Sequence, residues 1–167
     1  MNIFFKNAAI VAIAVMMSVS ANAQQGEKAA GGHLMFGSGD DYSNIGFGAK
    51  FRYGVTDPIR LEGSFTFFLK KEYVSMWDLS ANGHWLFQPN DQIVVYPLAG
   101  FSIMGIKFDW GDGDSSTDNG FGLNFGGGMD FKLNDKTALN FELRYRVATG
   151  DLDLDRLGIS FGVVFNF

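Results

Sequence analysis

Few side chains in this 167-residue sequence are equipped for catalysis: it has two histidines, His33 and His84, and no cysteine. Acid–base chemistry near neutral pH would fall to one of those imidazoles. Carboxylates are more plentiful, with Asp109, Asp112, Asp114 and Asp118 in one glycine- and serine-rich stretch and Asp151, Asp153 and Asp155 in another. Several carboxylate oxygens at close spacing suit a hard cation such as Ca²⁺. The spacing is not that of an EF-hand, because counting from Asp114 puts Asn119 at the glycine position and Phe125 at the acidic twelfth. Both clusters read as solvated acidic loops, and the sequence calls for no metal and no cofactor. A third set of ionisable residues follows a different rule. Lys50, Arg52, Arg60, Glu62, Asp78, His84, Asp130, Glu142, Arg144 and Arg146 all occupy the polar half of alternating segments.

That alternation dictates the elements. Leu139, Phe141, Leu143, Tyr145 and Val147 interleave with Asn140, Glu142, Arg144 and Arg146, and Leu157, Ile159, Phe161, Val163, Phe165 and Phe167 interleave with Gly158, Ser160, Gly162, Val164 and Asn166. A two-residue period means strands with one apolar and one polar face. The same pattern sets Ile45, Phe47, Ala49, Phe51 and Tyr53 against Lys50 and Arg52, and Ile59, Leu61, Phe65, Phe67 and Leu69 against Arg60 and Glu62. It sets Trp77, Leu79, Ala81, Gly83, Trp85 and Phe87 against Asp78 and His84, and Phe121 to Phe131 against Asn124 and Asp130. A weaker strand at 30–37, with Leu34 and Phe36 opposite His33 and Met35, and an apolar one at 93–106 whose facing the period does not assign, bring the count to eight. Tight turns at 55–58, 88–91 and 133–136 alternate with longer acidic or glycine-rich connections at 38–43, 70–74, 107–119 and 148–155. Short turns at one rim and longer loops at the other, with strands near ten residues, suit a barrel that crosses a membrane.

The amino terminus sets the compartment. Lys6, the apolar run from Ala8 to Val19, and Ser20-Ala21-Asn22-Ala23 have the form of a secretory signal with an A-x-A cleavage site. The run is short for a spanning helix. Residues 1–23 are therefore expected to be removed, leaving a single domain over 24–167 that begins at Gln24. Without cysteine the chain has neither disulfides nor a lipidated cysteine anchor. Losing Lys6 takes the formal charge from −5 to −6, which argues against nucleic acid as a partner. The 18 Phe and 22 Gly against 3 Pro suit a sheet with one greasy face and one crowded interior.

With these elements in place, the chain resembles the small eight-stranded outer-membrane barrels of Gram-negative bacteria, the porin-like family that includes the OmpA transmembrane domain and OmpX. The resemblance spans about residues 30 to 167 and implies an all-β, antiparallel, up-and-down transmembrane barrel. Its sharpest element is the carboxyl end. In that family the last strand carries an assembly signal read by the barrel-assembly machinery; Phe161, Val163, Phe165 and Phe167 match its hydrophobic positions and Gly162 a preferred glycine, while Phe161 stands where the stricter form has a polar residue. The resemblance also implies contact with outer-membrane lipid and lipopolysaccharide; the functional alternative to solvated loops is weak divalent bridging of the loop aspartates to lipopolysaccharide. Tyr53, Trp77, Trp85, Phe87, Tyr96, Phe131 and Tyr145 lie near expected strand ends, where interfacial aromatic girdles form.

If the apolar faces meet lipid, the ten residues of the third set point inward and pair, because an isolated interior ion is costly. Lys50 or Arg52 comes opposite Glu62, depending on register, and Glu142 lies one inward step from Arg144. Eight strands leave room for little beyond side chains, so a polar plug is expected, with glycines 46, 48, 126, 128, 158 and 162 as sites for small water pockets. Small barrels of this kind that modify lipids work with His and Ser or Asp near the outer rim. His33, low to middle on its strand, and His84, near the periplasmic turn, are poorly placed for that, so the expectation is a non-enzymatic protein. Its work would be envelope integrity, surface contact, or service as a small subunit of a larger outer-membrane complex. The alternatives are a soluble lipocalin-like barrel whose Phe and Leu faces line a cavity for an apolar ligand, and a narrow ion-conducting pore.

Overall fold

The computed structural model describes residues 25–39, 43–71, 74–109, 115–149 and 155–167. The expected signal at 1–23 lies outside them, as do the loop residues Asp112, Asp114, Asp151 and Asp153. The strands are β1 (Lys28–Ser38), β2 (Ser43–Thr56), β3 (Ile59–Lys71), β4 (Val74–Trp85), β5 (Phe87–Asn90), β6 (Ile93–Asp109), β7 (Ser115–Asn134), β8 (Thr137–Thr149) and β9 (Arg156–Asn166). All pair antiparallel, and closure is made by β1 on β9, with Leu34 opposite Phe161.

Strands β4 and β5 are one stave of this barrel. Both hold the same register on β6, His84 opposite Leu98 and Phe87 opposite Val95. That register carries Trp85 opposite Pro97, which has no N–H to give the ladder. At the gap, the Leu86 N–H donates instead to Pro58 O at 2.8 Å. Counted as staves, the barrel has eight, and closure leaves no unpaired edge.

The tight turns follow from their own side chains. Asn90 Oδ1 accepts from the backbone N–H of Gln92 and Ile93 at 3.0 and 2.8 Å, and Asn134 Oδ1 accepts from Lys136 N–H at 3.0 Å. Such Asx geometry reverses the chain in two residues. On the opposite rim, the expected loop at 107–119 is shorter than its composition suggested. The β6–β7 ladder continues from Gly105 opposite Asn119 up to Asp109 opposite Ser115. On the β7 side this added ladder runs through 115–120, a polar and glycine stretch that a hydrophobic pattern cannot register.

The faces are inverted relative to a water-soluble protein. Leu34, Phe161 and Phe165 are 62%, 55% and 54% exposed, whereas Arg52 and Asn124 are 1% and 0% exposed. In β1, Leu34 and Phe36 point out and His33 and Met35 point in. The strand left unassigned by its period, β6, buries Val94, Tyr96, Leu98, Ser102, Met104 and Ile106. Since the Phe and Leu faces lie outside, they line no cavity, and the lipocalin-like arrangement does not apply.

Candidate functional site

The lumen is where the sequence concentrates its ionisable groups, and strand register decides who meets whom. Arg52 on β2 lies opposite Glu62 on β3, and its Nε donates to Glu62 Oε2 at 2.6 Å. Of the two partners the sequence offered Glu62, the register therefore selects Arg52. Lys50 still reaches Glu62 Oε2 at 3.4 Å and Glu142 Oε2 at 3.7 Å, and it donates to Asn140 Oδ1 at 2.8 Å. Across the lumen, Asp130 on β7 accepts from Arg52 Nη1 at 3.0 Å, Arg60 Nη1 at 2.8 Å and Asn140 Nδ2 at 2.8 Å. One carboxylate thus ties four staves, through β2, β3, β7 and β8.

Tyr96 stands at the centre of this cluster, which corrects its expected place in an interfacial girdle. It is 2% exposed. Its hydroxyl accepts from Asn140 Nδ2 at 2.8 Å and Arg52 Nη2 at 3.2 Å and donates to Glu142 Oε2 at 3.3 Å. The ring stacks on His84, centroids 4.3 Å apart, with the Arg60 guanidinium 4.8 Å from its centroid. Space for so large a ring comes from Gly128, its cross-strand neighbour, where a Cβ would stand 2.5 Å from the Tyr96 hydroxyl. The other glycines expected to leave water pockets are likewise occupied. A Cβ at Gly46 would come 2.7 Å from Phe68, one at Gly158 2.6 Å from Met35, and one at Gly48 2.8 Å from His33. At Gly126 and Gly162 a Cβ would meet neighbouring backbone.

A second polar layer lies toward the loop rim. Arg144 Nη2 contacts Asp78 Oδ1 at 3.2 Å and Nη1 donates to Ser80 Oγ at 2.7 Å. Glu142 and Arg144, adjacent inward positions on one strand, therefore serve different clusters. Arg146 donates to Ser102 Oγ at 2.9 Å and Gly120 O at 2.7 Å, and Asn124 bridges Asn82 and Ser102 at 2.9 and 3.1 Å. His33 Nε2 meets Thr66 Oγ1 at 2.9 Å. Sequence reasoning missed Arg156, which lies between its expected connection at 148–155 and the alternation that starts at Leu157. Arg156 opens β9, bonds Asn44 Oδ1, and lays its guanidinium 4.2 Å from the Phe68 ring centroid.

Two apolar clusters flank this polar interior. Met35, Phe68, Met76, Met104 and Ile106 pack together toward the loop rim, and Leu86, Val94, Tyr96 and Leu98 toward the turn rim. At the turn rim a vestibule of about 320 Å³ opens among Glu27, Lys28, Asp91, Lys132 and Asp135, and its inner lining includes Arg52, Arg60 and Asp130. Among the described residues, Glu62, His84 and Glu142 form the group that brings potential metal-ligand atoms within 4.8 Å of one another. Neither histidine faces a nucleophile in an open cleft. On the outer wall, Tyr53, Trp85, Phe131 and Tyr145 are exposed and Trp77 and Phe87 are half-buried. At the carboxyl end, Phe161, Phe165 and Phe167 point outward, Val163 is half-buried and Gly162 faces inward opposite His33.

Comparison with known proteins agrees with this architecture. The family model for the outer membrane protein beta-barrel domain matches residues 9–167. Among curated protein sequences no relative matches significantly. The barrel is similar to the attachment invasion locus protein Ail of Yersinia pestis, with a TM-score of 0.62 and 20% identity over 86% of this chain and 100% of that one. It is also similar to the N-terminal β-barrel domain of Pseudomonas aeruginosa OprF, at a TM-score of 0.67 and 18% identity, covering 86% and 98% of the two chains. Neisserial surface protein A gives a TM-score of 0.66 at 18% identity, covering 84% and 96%. At such identities the structural likeness carries the fold alone, while the family match extends over nearly the whole sequence. The chain therefore belongs to the outer membrane protein beta-barrel domain family, as a small integral barrel of the Gram-negative outer membrane.

Proposed function

We propose that this protein is a non-enzymatic, sealed barrel whose work is done by its outer wall and its loops. The observation that carries the reading is the filled lumen: Arg52, Glu62, Asp130 and Tyr96 are all 4% exposed or less, and Met35, Phe68, Met76, Met104 and Ile106 pack together on the loop side of them. A barrel closed in this way contributes to envelope integrity, to surface contact through its acidic loops, or to a larger outer-membrane complex as a small subunit. Residues 1–23 act as a cleaved export signal, residues 24–167 are the mature barrel domain, and Phe161, Gly162, Val163, Phe165 and Phe167 present the last strand to the assembly machinery. The exposed Phe and Leu wall supports lipid contact, and the aromatic side chains other than Tyr96 supply the girdles. Lipopolysaccharide is the expected surface partner.

The test is extraction of tagged protein from native envelopes in mild detergent, with identification of what travels with it, alongside conductance in planar bilayers. Outer-membrane recovery without steady conductance supports the sealed reading, and a stoichiometric partner assigns the subunit role. Steady single-channel conductance that changes on neutralising Arg144 or Glu142 would replace it with the narrow-pore alternative.

A further inference from the structure

Among the buried polar atoms with no hydrogen-bond partner in the protein, Glu62 Oε1 and His84 Nε2 belong to residues of the same cluster. Their residues are 2% and 1% exposed. Leaving such groups unsatisfied away from water is costly, so the pair marks a place where something else belongs. One ligand atom each from Glu62, His84 and Glu142 lie within 4.8 Å of one another. A point between three atoms no farther apart than that lies at most about 2.8 Å from each of them, within hydrogen-bond reach.

The chemistry of the occupant follows from the His84 tautomer. Arg60 approaches His84 Nδ1 with Nε at 3.3 Å and Nη2 at 3.2 Å. A guanidinium donates only, so Nδ1 is the acceptor and the neutral ring carries its proton on Nε2. The site then offers one N–H donor and two carboxylate acceptors. A metal ion would face an N–H where it needs a lone pair, with Lys50 Nζ 3.4 Å from Glu62 Oε2 adding repulsion. An anion such as chloride would face two carboxylates. Water matches, accepting once and donating twice, and about three hydrogen bonds is the usual complement of a buried water.

We propose that a single ordered water is bound between His84 Nε2–H, Glu62 Oε1 and Glu142, as an integral ligand of the lumen and in place of a metal. It fixes the imidazole tautomer and through it the seat of Arg60. It joins β3, β4 and β8, adding to the direct Arg60–His84 and Arg144–Asp78 contacts among those strands.

The experiment uses the refolded mature barrel in lipid nanodiscs with ¹⁵N-labelled histidine. Only two rings are present, and His33→Gln assigns them; should that variant not refold, the Thr66→Val shift of the His33 signal does so instead. The expected result is a neutral His84 ring protonated at Nε2, with a cross-relaxation peak from that proton to water. Titration with Co²⁺ is expected to give no stoichiometric uptake and no d–d absorption. A ring protonated at Nδ1 alone, absence of the water peak from a visible Nε2–H, or one-to-one Co²⁺ uptake abolished by Glu62→Gln would each overturn the proposal.

Discussion

Replacing Asp130 by asparagine preserves the volume of the side chain while removing the charge that two arginines share. Asp130 accepts from Arg52 at 3.0 Å, Arg60 at 2.8 Å and Asn140 at 2.8 Å, and it is 4% exposed. Arg52 keeps Glu62 as a second carboxylate partner, but Arg60 is left with His84, a neutral acceptor. Removing one member of a buried ion pair costs about 3–5 kcal/mol, because the surviving charge is stranded away from water. The barrel, refolded into lipid vesicles and unfolded in urea with tryptophan fluorescence as the signal, should lose that much stability. At a slope of about 2 kcal/mol per molar urea, the midpoint falls by about 2 M. Asp135→Asn, an exposed turn residue, is the control and should change stability by under about 0.5 kcal/mol. Adding Arg60→Met to Asp130→Asn removes the stranded cation, so the double variant should lose less than the two single losses combined, by about 1–3 kcal/mol. A loss below about 1 kcal/mol for Asp130→Asn, the range of an exposed pair, would refute the idea that the lumen is dry enough for its charges to depend on one another.

The outer wall makes its own demands. Arginine at Leu79, exposed in the middle of β4, should cost about 2–4 kcal/mol of barrel stability in vesicles, whereas Leu133→Arg, beside the turn at the end of β7, should cost about 1 kcal/mol or less. Equal costs at the two positions would contradict the placement of the apolar belt. Removal of Phe167, the terminal side chain and 74% exposed, should leave stability of the refolded barrel within about 1 kcal/mol while sharply lowering the amount inserted in vivo. Unchanged insertion, measured by heat-shifted mobility in the outer-membrane fraction, would remove these residues from assembly.

How much of this was legible in the sequence differs by element. Where a strand separates two unlike faces, as around Lys50 to Tyr53 or Glu142 to Tyr145, the two-residue period names every inward residue. It fails on β6, because Val94, Tyr96 and Leu98 point into the lumen and Val95 and Phe101 point out, and all are apolar. That ambiguity put Tyr96 in the girdle. The signal that would have moved it was Gly128, a missing side chain across the ladder, but using it requires the register of β6 on β7 in advance. Arg156 was overlooked for a related reason: the residues before it are aspartates and leucines that read as loop, and its partners Asn44 and Phe68 lie far off in sequence. Composition alone also could not show that methionine and phenylalanine pack together on the loop side of a lumen whose middle is ionic.

The central claim is that the apolar faces meet lipid while the polar faces fill a closed interior. Because the chain has no cysteine, single cysteines can be placed at will and reacted with a nitroxide label in the vesicle-embedded barrel. Outward sites Leu79, Phe101, Phe141 and Ile159 should label fully and collide more with oxygen, which partitions into lipid, than with a water-soluble nickel chelate. Inward sites Ser80, Ser102 and Ser160 should resist labelling until the barrel is unfolded. Ready labelling at the three serine sites, or chelate-dominated collisions at the four outward sites, would contradict the account.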